Sequence, residues 1–125
     1  MQDFKNLQAW QKAHRLVLET YAKTANFPRE EQFGLTAQVR RAAVSIAANI
    51  AEGSSRGSDR EFAQFAQFLR VASGSASEVE YFAILVADLS LLSRPEAAHI
   101  AEGAAEVRRM LSGLLASLST HRRPS

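Results

Sequence analysis

Apolar residues recur at spacings of three and four over four stretches of this chain, and each stretch has its own stop signal. In the first, Leu7, Trp10, His14, Val17, Tyr21 and Thr24 step by 3, 4, 3, 4 and 3, the seam of one helix face. Phe27-Pro28 closes it, because the residue before a proline is driven out of the helical region. The second seam is Leu35, Val39, Ala42, Ile46 and Ile50, ending at Gly53, which reads as a C′ glycine with positive φ. Ser58 and Glu61 have capping-box spacing and open a long third helix with the seam Phe62, Phe65, Leu69, Ala72, Ala76, Val79, Ala83 and Val86, ending near Leu92. Ser93 and Glu96 repeat the box around Pro95, which a first turn tolerates. The last seam is Ile100, Ala104, Val107, Leu111, Leu114 and Leu118. These elements predict an all-α fold, an antiparallel up-and-down four-helix bundle with a long third helix over residues 1–120. Residues 121–125, His-Arg-Arg-Pro-Ser, read as a flexible tail.

Two further stripes depart from a plain bundle. On the third helix Phe68, Val71, Ser75, Phe82, Leu85 and Leu89 form a second apolar line about 100° round from the first. A helix apolar on two faces buries both, so Phe68, Val71, Phe82 and Leu85 are candidates for a subunit interface. On the second helix Gln38, Arg41, Ser45, Asn49 and Glu52 step by 3, 4, 4 and 3 among many alanines. An Arg41 half sunk in alanine requires a carboxylate, for which Glu52, Glu78 and Glu80 are the candidates. The stripe therefore reads as a structural ion-pair and capping network, with Asn49 bonding main chain near Gly53.

At 125 residues the chain is one domain, and with no cysteine it has no disulfides, thiolate metal sites or cysteine nucleophile. Its longest run free of charged residues and histidine, Met110–Thr120, is 11 residues, too short to span a membrane. The first residues lack a signal-peptide pattern, so the expected compartment is the cytoplasm.

The block from Gln38 to Gly53, Gln-Val-Arg-Arg-Ala-Ala-Val-Ser-Ile-Ala-Ala-Asn-Ile-Ala-Glu-Gly, closely resembles the signature of the bacterial four-helix-bundle proteins named for 23S ribosomal RNA intervening sequences. Phe4, Leu7, Trp10, Lys12, Ala13, Tyr21, Phe27-Pro28, Glu31 through Leu35, Arg56, Ala72-Ser-Gly-Ser75 and Glu78 match as well. The resemblance covers roughly residues 4–92, and the last helix matches only in character. It implies a four-helix bundle, assembly as a ring-like homopentamer, and no settled function. It also implies a distant kinship with the accessory variability determinant of diversity-generating retroelements, which binds nucleic acid and a reverse transcriptase.

Catalytic signatures are weak. Glu96-Ala-Ala-His99 has the Glu-x-x-His spacing of di-iron bundles but occurs once, in a first turn where a glutamate favours the helix dipole, so no metal or cofactor is expected. His14 lies in the first seam without a partner and reads as a hydrogen-bonded core residue. The turn Gly53-Ser-Ser-Arg-Gly-Ser58 lacks a phosphate-loop ending but sets Arg56 near a helix N-terminus, where an anion could settle. The chain reads as non-enzymatic.

Charge is unevenly laid out. Residues 4–24 carry Lys5, Lys12, Arg15 and Lys23 against Glu19, and these with Gln8 form a basic stripe opposite the seam. In a ring the stripe would repeat once per subunit. One reading is an accessory protein binding RNA or DNA through phosphate contacts at Lys5, Lys12, Arg15, Lys23 and Arg56. The other is a scaffold or protein-interaction ring, partnered by itself and another protein, whose basic surface is incidental. Both involve self-association, and neither involves a membrane.

Overall fold

The structure, a computed structural model, describes residues 3–54 and 59–122, except the side chains of 59–61 and 119–122. After a short 3-10 turn at Phe4–Asn6 come α1 (Gln8–Thr24), a second 3-10 turn (Arg29–Glu31), α2 (Leu35–Ser54), α3 (Asp59–Asp88) and α4 (Arg94–Arg122). Each helix packs on its neighbours in sequence, α4 closes back on α1, and among the described residues the backbones of the diagonal pairs do not approach each other closely. That is the up-and-down bundle the seams predict. At ~1.5 Å per residue, α3 and α4, 30 and 29 residues long, outreach the 17 and 20 residues of α1 and α2. The Ser58 capping box, Arg56 and Arg123 lie outside the described residues.

The seams of α2, α3 and α4 are buried as the spacing requires. Ile46, Ile50, Leu69, Ala72, Ala76, Val79, Ala104, Val107 and Leu111 meet in one continuous core. The face of α1 is rotated by one position from the expected one. Ala9, Ala13, Leu16, Thr20 and Thr24 point inward, while Trp10 and Val17 sit at the margin and His14 and Tyr21 are exposed. Small inward residues bring α1 close to its neighbours. The two core threonines satisfy their hydroxyls on their own helix, Thr20 Oγ1 donating to the Leu16 carbonyl and Thr24 Oγ1 to the Thr20 carbonyl, both at 2.8 Å. The larger side chains of the expected seam gather outside instead. Trp10 stacks on His14 at 5.0 Å and takes Phe4 edge-on, so His14 is a surface ring rather than a core one.

Helix ends have identifiable causes. Ser93 and Glu96 form a reciprocal capping box: the Glu96 amide donates to Ser93 Oγ at 3.2 Å, and the Ser93 amide donates to Glu96 Oε1 at 3.3 Å. α3 stops at Asp88, four residues before the expected Leu92, in a Schellman turn. Ser90 takes φ 59°, its amide donates to the Ala87 carbonyl at 3.0 Å, and the Leu91 amide donates to the Val86 carbonyl at 2.9 Å. Gly53 is not a positive-φ cap. It lies inside α2, where a Cβ would come within 2.8 Å of Phe65 Cδ1 and 2.9 Å of Phe68 Cβ. The glycine lets α3 cross close to the end of α2.

Candidate interaction surfaces

The polar line of α2 and the second apolar line of α3 lie side by side. Ser45 and Ser75 share a hydroxyl–hydroxyl hydrogen bond of 2.8 Å across the two helices, and Asn49 Nδ2 donates to the Ser45 carbonyl at 2.8 Å and to Ser45 Oγ at 3.0 Å. Asn49 thus bonds one turn back along its own helix instead of reaching the chain near Gly53. Outward from this seam, Gln38, Arg41, Glu52 and Glu78 are exposed, and Val71 and Leu89 are 44% and 53% exposed. Phe68 and Leu85 are half-buried, whereas Phe82 is 7% exposed and belongs to this chain's own core. A charge at Phe82 would disturb the subunit before it disturbed any contact between subunits.

Arg41 does not behave as a buried cation. It is exposed, and among the described residues it pairs with none of Glu52, Glu78 and Glu80; Glu80 instead accepts Arg108 Nε at 2.8 Å. The half-buried arginine is its neighbour. Arg40 stacks over the Tyr21 ring at 4.4 Å and donates from Nε to Thr24 Oγ1 at 2.8 Å. The signal was the Arg-Arg pair itself: adjacent helix positions lie about 100° apart, so only one could turn inward, and the inward turn goes toward α1.

The basic stripe of α1 faces α4, and α4 answers it with acids. Lys12 Nζ meets Glu106 Oε2 at 3.0 Å, Lys23 Nζ meets Glu96 Oε2 at 3.1 Å, and His99 Nε2 lies 2.9 Å from Glu19 Oε2. Lys5 lies 4.0 Å from Asp3, and Arg15 is exposed. Lys12, Arg15, Glu19, His99, Glu102 and Glu106 line a groove of about 210 Å³ in which acids and bases alternate. The Lys23 ammonium, and then the Ser93 bonds, hold the Glu96 carboxyl below its usual value of 4.5. So Glu96 caps α4 and ties it to α1, and His99 pairs with α1. Among the described residues no group of three or more metal-ligating side chains comes together, and no helix is long and apolar enough to cross a membrane.

An all-α bundle of four neighbour-packed helices with charged seams between them defines a class of small helical-bundle proteins. The profile of the 23S rRNA-intervening sequence protein family matches residues 5–113, and the chain belongs to that family. Among solved structures it is similar to a protein of unknown function from the S23 ribosomal protein family of Bacteroides thetaiotaomicron. The two are 23% identical with a TM-score of 0.73, over 86% of this chain and 97% of that one. That likeness establishes the fold. Comparison with curated proteins gives no match.

Proposed function

We propose that the protein is a non-enzymatic assembly subunit whose α2–α3 face seats a second copy of itself, so that a homo-oligomer, most simply the homopentamer its family resemblance implies, meets the partner. The supporting observation is the junction at Ser45 and Ser75, where a small-residue helix face lies beside exposed Val71. The small residues let another helix approach closely, and the apolar side chain gains from being covered. The test is sedimentation equilibrium of the wild type and of Val71→Glu. The wild type should sediment as several times 13.7 kDa and the variant, folded by circular dichroism, as a smaller species. A wild-type monomer at micromolar concentration would overturn the proposal. Val71 is the residue to change because its exposure leaves the subunit fold intact.

A second reading, weak RNA or DNA binding, draws on the family's description and on exposed Arg15 and Arg41. It is the less supported, because Lys12 and Lys23 already have carboxylate partners, and Lys5 has Asp3 nearby. Binding of ribosomal RNA fragments at about 50 mM salt, falling steeply as salt is added, would favour it.

A further inference from the structure

The α1–α2 connection carries a polar groove that neither the assembly face nor the α1–α4 seam uses. It measures about 280 Å³ and is lined by Thr24, Phe27, Arg29, Gln32, Thr36 and Arg40, with Ala25 and Pro28 at its edge. Three independent features converge there. First, it lies at the start of α2, whose opening amides have no helical carbonyl to meet. The residue before the helix is Gly34, whose carbonyl accepts the Gln38 amide at 3.0 Å but which has no side chain to cap with. Second, Thr36 is 7% exposed, and its Oγ1 is the one buried side-chain oxygen or nitrogen among the described residues with no hydrogen-bond partner. Buried hydroxyls are ordinarily paired, so an orphan beside an open groove points to a missing acceptor. Third, the Arg40 guanidinium is half-buried and held in place by Tyr21 and Thr24, both neutral, with no carboxylate against it among the described residues. A fixed, partly desolvated cation without a counter-charge is a standing attraction for an anion.

We infer that this groove binds a phosphate group, free or as a monoester, between Arg40, Arg29, the Thr36 hydroxyl and the first amides of α2. The lining residues carry two guanidiniums, hydroxyls and the Gln32 amide beside the start of α2, a donor-rich set that suits a tetrahedral oxyanion. Phe27 gives the groove an apolar wall on which the organic part of an ester could lie. Glu31, whose Oε1 lies 3.7 Å from where a Cβ on Gly34 would be, is a competing charge near the start of α2 but does not line the groove.

The experiment is isothermal titration of the full chain with inorganic phosphate and, separately, phenyl phosphate at constant ionic strength. Saturable binding is expected, weakened at least about tenfold by Arg40→Gln, since a charge-assisted pair is lost. Arg29→Gln, at an exposed position, should weaken binding without touching the fold. Thr36→Val discriminates most sharply. If the hydroxyl serves only the fold, Thr36→Val leaves phosphate affinity unchanged; if it contacts the ligand, affinity falls while the free protein is no less stable. Glu31→Gln should tighten binding. Tighter binding of phenyl phosphate than of inorganic phosphate assigns the groove to esters, and the reverse assigns it to the free ion. No saturable binding of either, or equal affinity in wild type, Arg29→Gln and Thr36→Val, overturns the inference whatever Arg40→Gln does.

Discussion

Two glycines one helix apart show how little a residue type says without its neighbours. Gly53 has Phe65 and Phe68 against the place a Cβ would occupy, at 2.8 and 2.9 Å, whereas Gly74, in the middle of α3, has nothing within 4 Å. Gly53→Ala should therefore destabilise by about 1–3 kcal/mol through overpacking. Gly74→Ala, at an exposed helical site, should stabilise by roughly 0.5–1 kcal/mol. Opposite shifts of the two denaturant midpoints check the pair. Ser90 is the third backbone-dominated site, since it holds φ 59° at the αL position of the Schellman turn without being glycine. Ser90→Gly should raise stability by about 1 kcal/mol, read as a higher melting temperature, because the left-handed conformation strains a side-chain-bearing residue and not glycine. A glycine there would have announced the end of α3 in the sequence; a serine does not, and the helix was expected to run four residues further.

At the scale of elements, three of the four buried faces were legible because their largest side chains are the buried ones. α1 was not, because its inward residues other than Leu16 are alanines and threonines, while Trp10 stays at the margin and Tyr21 is exposed. Periodicity finds a stripe of bulk, and in α1 bulk and burial lie about 100° apart. The Ser93–Glu96 box was legible since it is local, but its third member, Lys23, comes from 73 residues away. That link makes the α4 N-terminus acid-sensitive. The folded-state value of Glu96 lies below the ordinary 4.5, chiefly because Lys23 donates to it. Its contribution to stability is thus present above the unfolded value and is lost as pH falls through the folded one. Glu96→Gln should lower the denaturant midpoint at neutral pH, and the gap to wild type should close on acidification below the ordinary value. A gap of constant size from neutral to acid pH would mean that the carboxylate charge is irrelevant to the cap.

Over the whole molecule, the sequence shows a cationic α1, and the fold shows where that charge goes. The net charge of +2 hides a seam along which α1 and α4 exchange partners at Lys12–Glu106, Glu19–His99 and Lys23–Glu96. No count along one helix could reveal this, since every acid on the far side belongs to an element some 70 to 100 residues later. The arrangement separates the two roles a lysine there could have. Lys12→Glu sets two carboxylates face to face and should destabilise, though by no more than roughly 1 kcal/mol at so exposed a pair. Combining it with Glu106→Lys restores the opposite charges with their places exchanged, so a denaturation series should show the double variant recovering most of the loss. Recovery beyond additivity identifies the pair as a packing device of the bundle. The same double variant tests nucleic-acid binding on a folded protein. It moves the cation from α1 to α4, so phosphate contacts at the α1 stripe should be lost and the slope of log affinity against log salt should flatten by about 0.7 to 0.9 per contact. An unchanged slope in a folded, assembled double variant would leave Lys12 with its structural role alone, and the surface that meets a partner would then be sought beyond the α1 stripe.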